Sequence, residues 1–272
     1  MKIDLHNHTF YSDGKFSPEE LVLRAKRNNV DVFALTDHDS VFGCDEIEKI
    51  AKENGIKVIK GMELSTYHKG ESIHIVSLFK NNIVPSDLMD FSKIHLERRK
   101  ERAIKMMEKI KEIYGLKMDI DELVKSSKVI TRANMLFHLM KYNNLTREEA
   151  SPYISSKSKA YIPSTKMSVE DGLKLLRKAD TLVILAHPCL YPEEYLDEIL
   201  SYGFDAMEVK YPSPKNDEEK LRKYAKKFNL LISAGSDCHG EGDGVYGDHG
   251  DIGYSTLTEE EFLPIKKLLN FN

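Results

Sequence analysis

Residues 30–60 read VDVFALTDHDSVFGCDEIEKIAKENGIKVIK. Val30–Leu35 is a short apolar run with the length of a strand. Gly43–Asn54 has the pattern of a helix, and Gly55 stops it as a C-terminal cap would. Ile56–Lys60 is a second short strand. A strand, a helix and a strand in so few residues make a βα unit, which brings the next strand back parallel. Between the first strand and the helix lies Thr36-Asp37-His38-Asp39, a polar run at a strand's C-terminal end.

The same beat extends in both directions. Ile3–His8 is a first strand. Ser17-Pro18-Glu19-Glu20 then opens a helix, with serine at the cap, proline in the first helical position and Glu20 closing a capping box. Ile73–Phe79 is a fourth strand. From Pro85 to about Ser164 the strand signal is scarce: a long charged helical pattern over 86–113 precedes shorter helices near 119–126, 131–142 and 146–153. The first beat then returns. Helices at 168–179, 193–202 and 216–228 lead into Leu182–Ala186, Ala206–Lys210 and Leu230–Ala234, and a last helix spans about 258–269. Seven strands, most followed by a helix, predict an α/β chain with a parallel sheet closed or nearly closed into a barrel. Residues 1–90 and 166–272 would form it, with 91–165 inserted as a helical subdomain. A doubly wound open sheet is the alternative.

Composition narrows the setting. The 272 residues are 41% hydrophobic and 31% charged, enough for one large core. With a mean hydropathy of −0.44, no apolar run approaches the roughly 20 residues a spanning helix needs. Forty basic against 44 acidic residues give a net charge of −4, which argues against coating long nucleic acids. Cys44, Cys189 and Cys238 have no paired spacing and read as reduced thiols. The start MKIDLHNHTF lacks an apolar signal core. Together these predict a cytoplasmic protein without a membrane partner.

The chemistry-bearing residues gather at strand ends. His6 and His8 close the first strand, and side chains two apart on a strand face the same way. Asp13 follows in Tyr11-Ser12-Asp13-Gly14. His38 comes after strand two, Glu63 after strand three (Gly61-Met62-Glu63-Leu64-Ser65) and His74 within strand four. His187 follows strand five in Ala186-His187-Pro188, and Asp237 and His239 follow strand seven in Gly235-Ser236-Asp237-Cys238-His239-Gly240. The C-terminal face is where (β/α) barrels build active sites. Imidazole and carboxylate without thiolate suit Zn, Mn or Fe, and nine donors suit two or three ions. Cys238, between two candidate ligands, points away by alternation. His95, His138 and His249 lack ligand spacing and read as structural or exposed. Glu241–Asp251, rich in glycine and aspartate, reads as a rim loop.

The segments DLHNHTFYSDG, LTDHD, GMELS, IHIV, LAHP and GSDCHG occur in the order found in the PHP family, the polymerase and histidinol phosphatase superfamily of metal-dependent phosphoesterases, and the chain resembles it over 1–80 and 182–240. The resemblance implies a distorted (β/α)7 barrel of the PHP type. It implies two or three divalent transition-metal ions (Mn, Fe or Zn). His6, His8, Glu63 and Asp237 would hold the first, Glu63, His74 and His187 the second, and Asp13, His38 and His239 the third. Glu63, Asp237 and His239 would be the catalytic groups, and a hydroxide held between the ions would attack phosphorus.

Among the family's branches, the resemblance is strongest to members with a helical insertion that act on nucleoside 3′,5′-bisphosphates and short RNA 5′ ends. Thr131-Arg132-Ala133-Asn134-Met135 resembles their phosphate-contacting Arg-Pro-His segment, with Ala133 and Asn134 in place of proline and histidine. Arg132 and Asn134 are therefore the expected substrate-binding residues, and a small phosphorylated nucleotide or short oligonucleotide the expected partner. Charge supports an anionic ligand: residues 91–167 hold 17 Lys/Arg against 9 Asp/Glu, a net +8, which leaves −12 on the remainder. Arg98, Arg99 and Arg102 lie near one face of the long helix and read as a solvated face. The alternatives are histidinol phosphate phosphatase activity, a non-catalytic metal-binding interaction module, and metal-dependent C–N hydrolysis.

Overall fold

The computed structural model describes residues 1–126, 130–163, 167–240 and 249–271. The strands are β1 Ile3–Asp4, β2 Val32–Leu35, β3 Lys57–His68, β4 Glu71–Phe79, β5 Met167–Ser168, β6 Thr181–Leu185, β7 Ala206–Lys210 and β8 Leu231–Ala234. Seven of them follow one path, β1-β2-β3-β4-β6-β7-β8, and the two-residue β5 pairs β3 off it. Beyond the ends of that path the chain meets itself. Leu5 N–H bonds the Ala234 carbonyl at 3.0 Å, Asp237 N–H the His6 carbonyl at 2.8 Å and His8 N–H the Cys238 carbonyl at 3.0 Å. The expected barrel is thus present and nearly closed.

It is not all parallel, as the strand–helix alternation predicts. β4 runs antiparallel to both β3 and β6. Only Lys69 and Gly70 separate β3 from β4, and both have positive φ, 46° and 101°. A parallel crossover needs a dozen or more residues, so a two-residue link with both φ values positive has to be a tight hairpin. β3 is also longer than Ile56–Lys60: it spans twelve residues, which puts Glu63 inside it.

Alternation along the strands divides the core. Val32, Ala34, Ile59, Val76, Leu78, Leu182, Ile184 and Ala206 point inward and pack with Phe262, Ile265 and Leu269 of α10 (Glu259–Leu269). Phe33, Leu35 and Val58 point outward onto α1 (Pro18–Arg27) and α2 (Cys44–Glu53), through Leu21, Val22, Ala25, Ile47 and Ala51. α7 (Val169–Lys178), α8 (Glu193–Ser201) and α9 (Glu218–Lys227) cover the other outer side. Ser17 and Glu20 form the capping box read from the sequence.

α3 (Ser86–Tyr114) carries the chain out of this barrel. Leu88 near its start belongs to the barrel's outer core. Ala103, Met106, Met107 and Ile110 instead pack in a separate core with α4 (Ile120–Ser126), α5 (Arg132–Asn143) and α6 (Arg147–Ile154), through Leu123, Met135, Leu139, Ala150 and Ile154. The expected boundary at 165/166 lies outside the described residues. Among the described residues, no helix is long and apolar enough to cross a membrane.

Candidate metal centre

All nine expected ligands meet at one end of the barrel. The extension of β1 delivers His6 and His8, both fully buried. Asp13 stands in the loop that follows. His38 follows β2 and pairs with Glu63 as an isolated bridge, so β2's exit lies along β3. His74 comes from β4, His187 from the exit of β6, and Asp237 and His239 from the exit of β8. His187 and Asp237 have φ of 30° and 50°, a strained backbone for residues with a Cβ and one that clusters at functional sites.

Glu63 is the hub. Its Oε2 lies 3.3 Å from His6 Nε2, 3.3 Å from His8 Nε2 and 3.0 Å from His38 Nδ1. Its Oε1 lies 3.0 Å from His74 Nδ1 and 3.1 Å from His187 Nε2. One carboxylate thus divides five imidazoles between its two oxygens. Asp237 Oδ1 closes the first group at 3.3 Å from His6 Nε2 and 2.9 Å from His8 Nε2. Asp13 Oδ1 lies 3.2 Å from His239 Nε2 and 3.9 Å from His38 Nε2.

The donor set fits cations. His6 Nε2, His8 Nε2, Glu63 Oε2 and Asp237 Oδ1 are buried and make no hydrogen bond among the described residues, yet all lie within 4.8 Å of one another. Bonds of about 2.1 Å to a shared ion separate neighbouring ligands by about 3.0 Å in an octahedron and about 3.4 Å in a tetrahedron. The first group's separations, 2.9–3.3 Å, match. Buried polar atoms without partners are costly unless something else satisfies them. His8, Asp13, His38 and His239 also bring their donor atoms within 4.8 Å of one another, as do His38, Glu63 and His74.

The electrostatics point the same way. Burial alone would raise the Glu63 carboxyl, but His38, His6 and His74 hold it well below the usual carboxylate range. Burial would likewise raise Asp237, which His249, His6 and His239 hold far down. Burial would lower His8, yet Asp237 and Glu63 push it up to about 9. His74, with burial dominant, falls to about 4. Ionised carboxylates buried among imidazoles are a receptor for cations.

A second layer holds these groups. Glu208 of β7 reaches His6 Nδ1 at 2.9 Å and accepts from the His187 N–H at 2.6 Å. Tyr211 O–H donates to Asp237 Oδ2 at 2.8 Å. Asp37 accepts from Thr9 N–H, Thr9 O–H and Ser12 O–H at 2.6–2.7 Å, fixing the loop that carries Asp13. Buried Asp4 accepts from Ser236 N–H at 3.0 Å and Gly253 N–H at 2.6 Å, tying β1 to the exit of β8. The sequence reading gives none of the four a role, although Asp4 and Asp37 stand in the DLHNHTFYSDG and LTDHD segments. For Glu208 a signal existed: a lone acid inside the apolar strand Ala206–Lys210.

Other residues fall differently from expectation. His249 is not merely structural or exposed: its Nδ1 lies 2.8 Å from Asp237 Oδ2, and with Asp237 and His239 it forms a further donor group. Of the glycine- and aspartate-rich stretch, 241–248 lies outside the described residues. Cys238 turns into the apolar core, as alternation predicts. His138 is structural and accepts from the Asp119 N–H at 3.0 Å. His95 instead reaches Asp39, beside His38, with its Nε2 3.3 Å from Asp39 Oδ2, and Arg99 Nη1 bonds the same oxygen. Arg102 gives its Nε–H to the Ile162 carbonyl at 2.8 Å. Arg99 and Arg102 therefore do not form a plain solvated face. Burial, with the charges of Arg99 and Arg132, lowers the pKa of Arg102. Arg132 is exposed in the first turn of α5, and Asn134 closes that helix's capping box, its Oδ1 2.7 Å from Thr131 N.

Comparison with known proteins agrees with this geometry. Residues 4–269 match the model of the PHP domain. A 5′-3′ exoribonuclease of Haemophilus influenzae is 31% identical over 252 residues, covering 88% of this chain and 90% of its own. A 3′,5′-nucleoside bisphosphate phosphatase of Chromobacterium violaceum is 28% identical, covering 89% and 88%. Among solved structures, one from Bifidobacterium adolescentis, described as a metal-dependent phosphoesterase, superposes with a TM-score of 0.83 at 25% identity over 98% of this chain and 96% of that one. One from Chromobacterium violaceum, described as an amidohydrolase with bound sulfate and no metal, gives a TM-score of 0.79 at 26% identity over 99% and 96%. Barrel, ligand order and relatives converge: the chain belongs to the PHP family and is a hydrolase of phosphate esters.

Proposed function

We propose that the protein hydrolyses phosphate esters of nucleotides, either nucleoside 3′,5′-bisphosphates or the 5′ ends of short RNAs, with two or three divalent transition-metal ions (Mn, Fe or Zn). The observation that carries this reading is the division of Glu63, with Oε2 toward His6, His8 and His38 and Oε1 toward His74 and His187. A carboxylate divided in this way would serve two ions, one through each oxygen. His6, His8, Glu63 and Asp237 would hold the first ion, Glu63, His74 and His187 the second, and Asp13, His38 and His239 the third. Bound there, the ions supply Lewis-acid charge and a nucleophile at neutral pH.

The chain's own residues do the rest. Glu63, Asp237 and His239 bear directly on the reacting centre. Residues 91–165 form a cap, and its net positive charge draws phosphate toward an acidic barrel. Arg132, exposed in the first turn of α5, anchors a phosphate away from the scissile bond as a planar fork. Asn134 holds the α5 N-terminus and so orients Arg132. Arg99 and His95, clasping Asp39, fix the cap's long helix against the loop that carries His38. Three free cysteines suit a cytoplasmic location.

The test is a substrate comparison on manganese-reconstituted protein, with 3′,5′-bisphosphonucleosides, 5′-phosphorylated oligonucleotides and histidinol phosphate. The expected result is the highest kcat/KM on one of the first two. Preference for histidinol phosphate, with no turnover of either nucleotide, would overturn the assignment.

A further inference from the structure

Glu208 lies in the middle of β7, is 1% exposed, and touches two candidate ligands from different strands. Its Oε1 is 2.9 Å from His6 Nδ1. Its Oε2 accepts the His187 backbone N–H at 2.6 Å. His6 and His187 belong to different metal positions in the assignment above, and Glu63 lies between them, 3.3 Å from His6 Nε2 and 3.1 Å from His187 Nε2.

The chemistry of the two contacts is one-sided. A carboxylate only accepts, so His6 Nδ1 carries the hydrogen toward Glu208. That leaves Nε2 with its lone pair facing Glu63 Oε2 and Asp237 Oδ1, the tautomer a ligand needs. The second contact acts on the backbone. His187 has φ 30° and ψ 56°, a left-handed conformation disfavoured for a residue with a Cβ. A hydrogen bond from its own N–H to a buried carboxylate holds it there.

We propose that Glu208 is a positioning residue for both metal positions at once: it selects the Nδ1–H tautomer of His6 and pins the His187 backbone. This rests on the metal-centre reading above. Glu208→Gln preserves size but offers one acceptor and one NH2 group to two N–H donors. Either one donor loses its partner, or His6 switches tautomer and turns an Nε2–H toward Glu63 and Asp237. Glu208→Asp keeps two acceptors but is one methylene short.

The experiment titrates chelator-stripped protein with zinc or manganese against a fluorescent competitor. Alongside it, a long-range 1H–15N spectrum is recorded on zinc-loaded wild-type protein with the histidines labelled. The expected affinity loss is roughly ten- to a hundredfold for Glu208→Gln and smaller for Glu208→Asp. His6 is expected to be zinc-bound through Nε2 with its hydrogen on Nδ1. Unchanged affinity in a folded Glu208→Gln protein, or His6 bound through Nδ1, overturns the role. The wild-type spectrum decides even if neither variant folds. Wild-type protein that binds no metal would instead overturn the metal-centre reading itself.

Discussion

Gly235 is where the fold and the metal centre constrain one another most tightly. It follows β8 directly, and a Cβ there would lie 2.2 Å from His6 Cβ and 2.6 Å from Glu208 Oε1. Ordinary contact begins at 3.4 Å, so Gly235→Ala must displace His6 by about 1.2 Å (3.4 less 2.2) and Glu208 by about 0.8 Å (3.4 less 2.6). His6 cannot yield by sliding its backbone, because its carbonyl accepts the Asp237 N–H at 2.8 Å and Leu5 N–H bonds Ala234 at 3.0 Å. Metal sites tolerate about 0.2 Å in ligand distance, so the displacement exceeds the tolerance several times over. The stability cost is that of overpacking, about 1–3 kcal/mol. With an unfolding entropy of about 2.1 cal/mol/K per residue, about 0.57 kcal/mol/K for this chain, Tm should fall by about 2–5 °C. Metal content should drop by about one ion per chain, and turnover roughly a hundredfold, the cost of a misplacement near 1 Å. Calorimetry, elemental analysis and initial rates read all three. Gly55→Ala is the matched control: Gly55 has φ 73° and nothing within 4 Å of its Cβ position, so it costs stability away from the centre. Wild-type metal content and turnover in Gly235→Ala would show that His6 and Glu208 are not held by this packing.

Arg132→Met should lower kcat/KM roughly ten- to a hundredfold on a bisphosphate, the value of a charged hydrogen bond, while metal content stays at the wild-type level. An unchanged KM would remove Arg132 from the substrate site. Acid should expose a clamp on α10. Burial on its own raises the Glu261 carboxyl, but Lys210 at 2.6 Å, the Thr258 N–H at 3.0 Å and Arg222 at 2.6 Å bring it down to about 2. A carboxyl lowered in the folded state stabilises above its unfolded pKa and loses that contribution as pH falls through its folded one. Glu261→Gln should therefore be less stable than wild type near neutrality, by on the order of 1–2 kcal/mol after allowance for solvent screening, and the gap should close from about pH 4.5 to about pH 2. Urea unfolding of the pair across that window is the measurement, and a gap independent of pH would rule the clamp out.

The ligands were legible because strand periodicity and barrel topology do the same work. His6 and His8 are two residues apart and so share a face, and His187, Asp237 and His239 follow strands that the parallel rule aims at one end of the barrel. Gly61 and Glu63 interrupt the apolar run that marks strand three, so the pattern puts Glu63 after its strand instead of within it. The antiparallel hairpin is hidden for a related reason: Lys69-Gly70 is too short for a crossover, but that matters only because β3 reaches His68. Glu208, Asp37 and Asp4 act through contacts with residues 21 to 249 positions away, which no local pattern encodes. His249 belongs to no predicted strand end, and Asp237 reaches it only through tertiary folding.

The most direct test of the account is elemental analysis of the purified protein together with its Asp237→Asn variant. Two or three transition-metal ions per wild-type chain are expected, and at least one fewer in the variant. Fewer than one ion per wild-type chain, or the same content in both proteins, would contradict it.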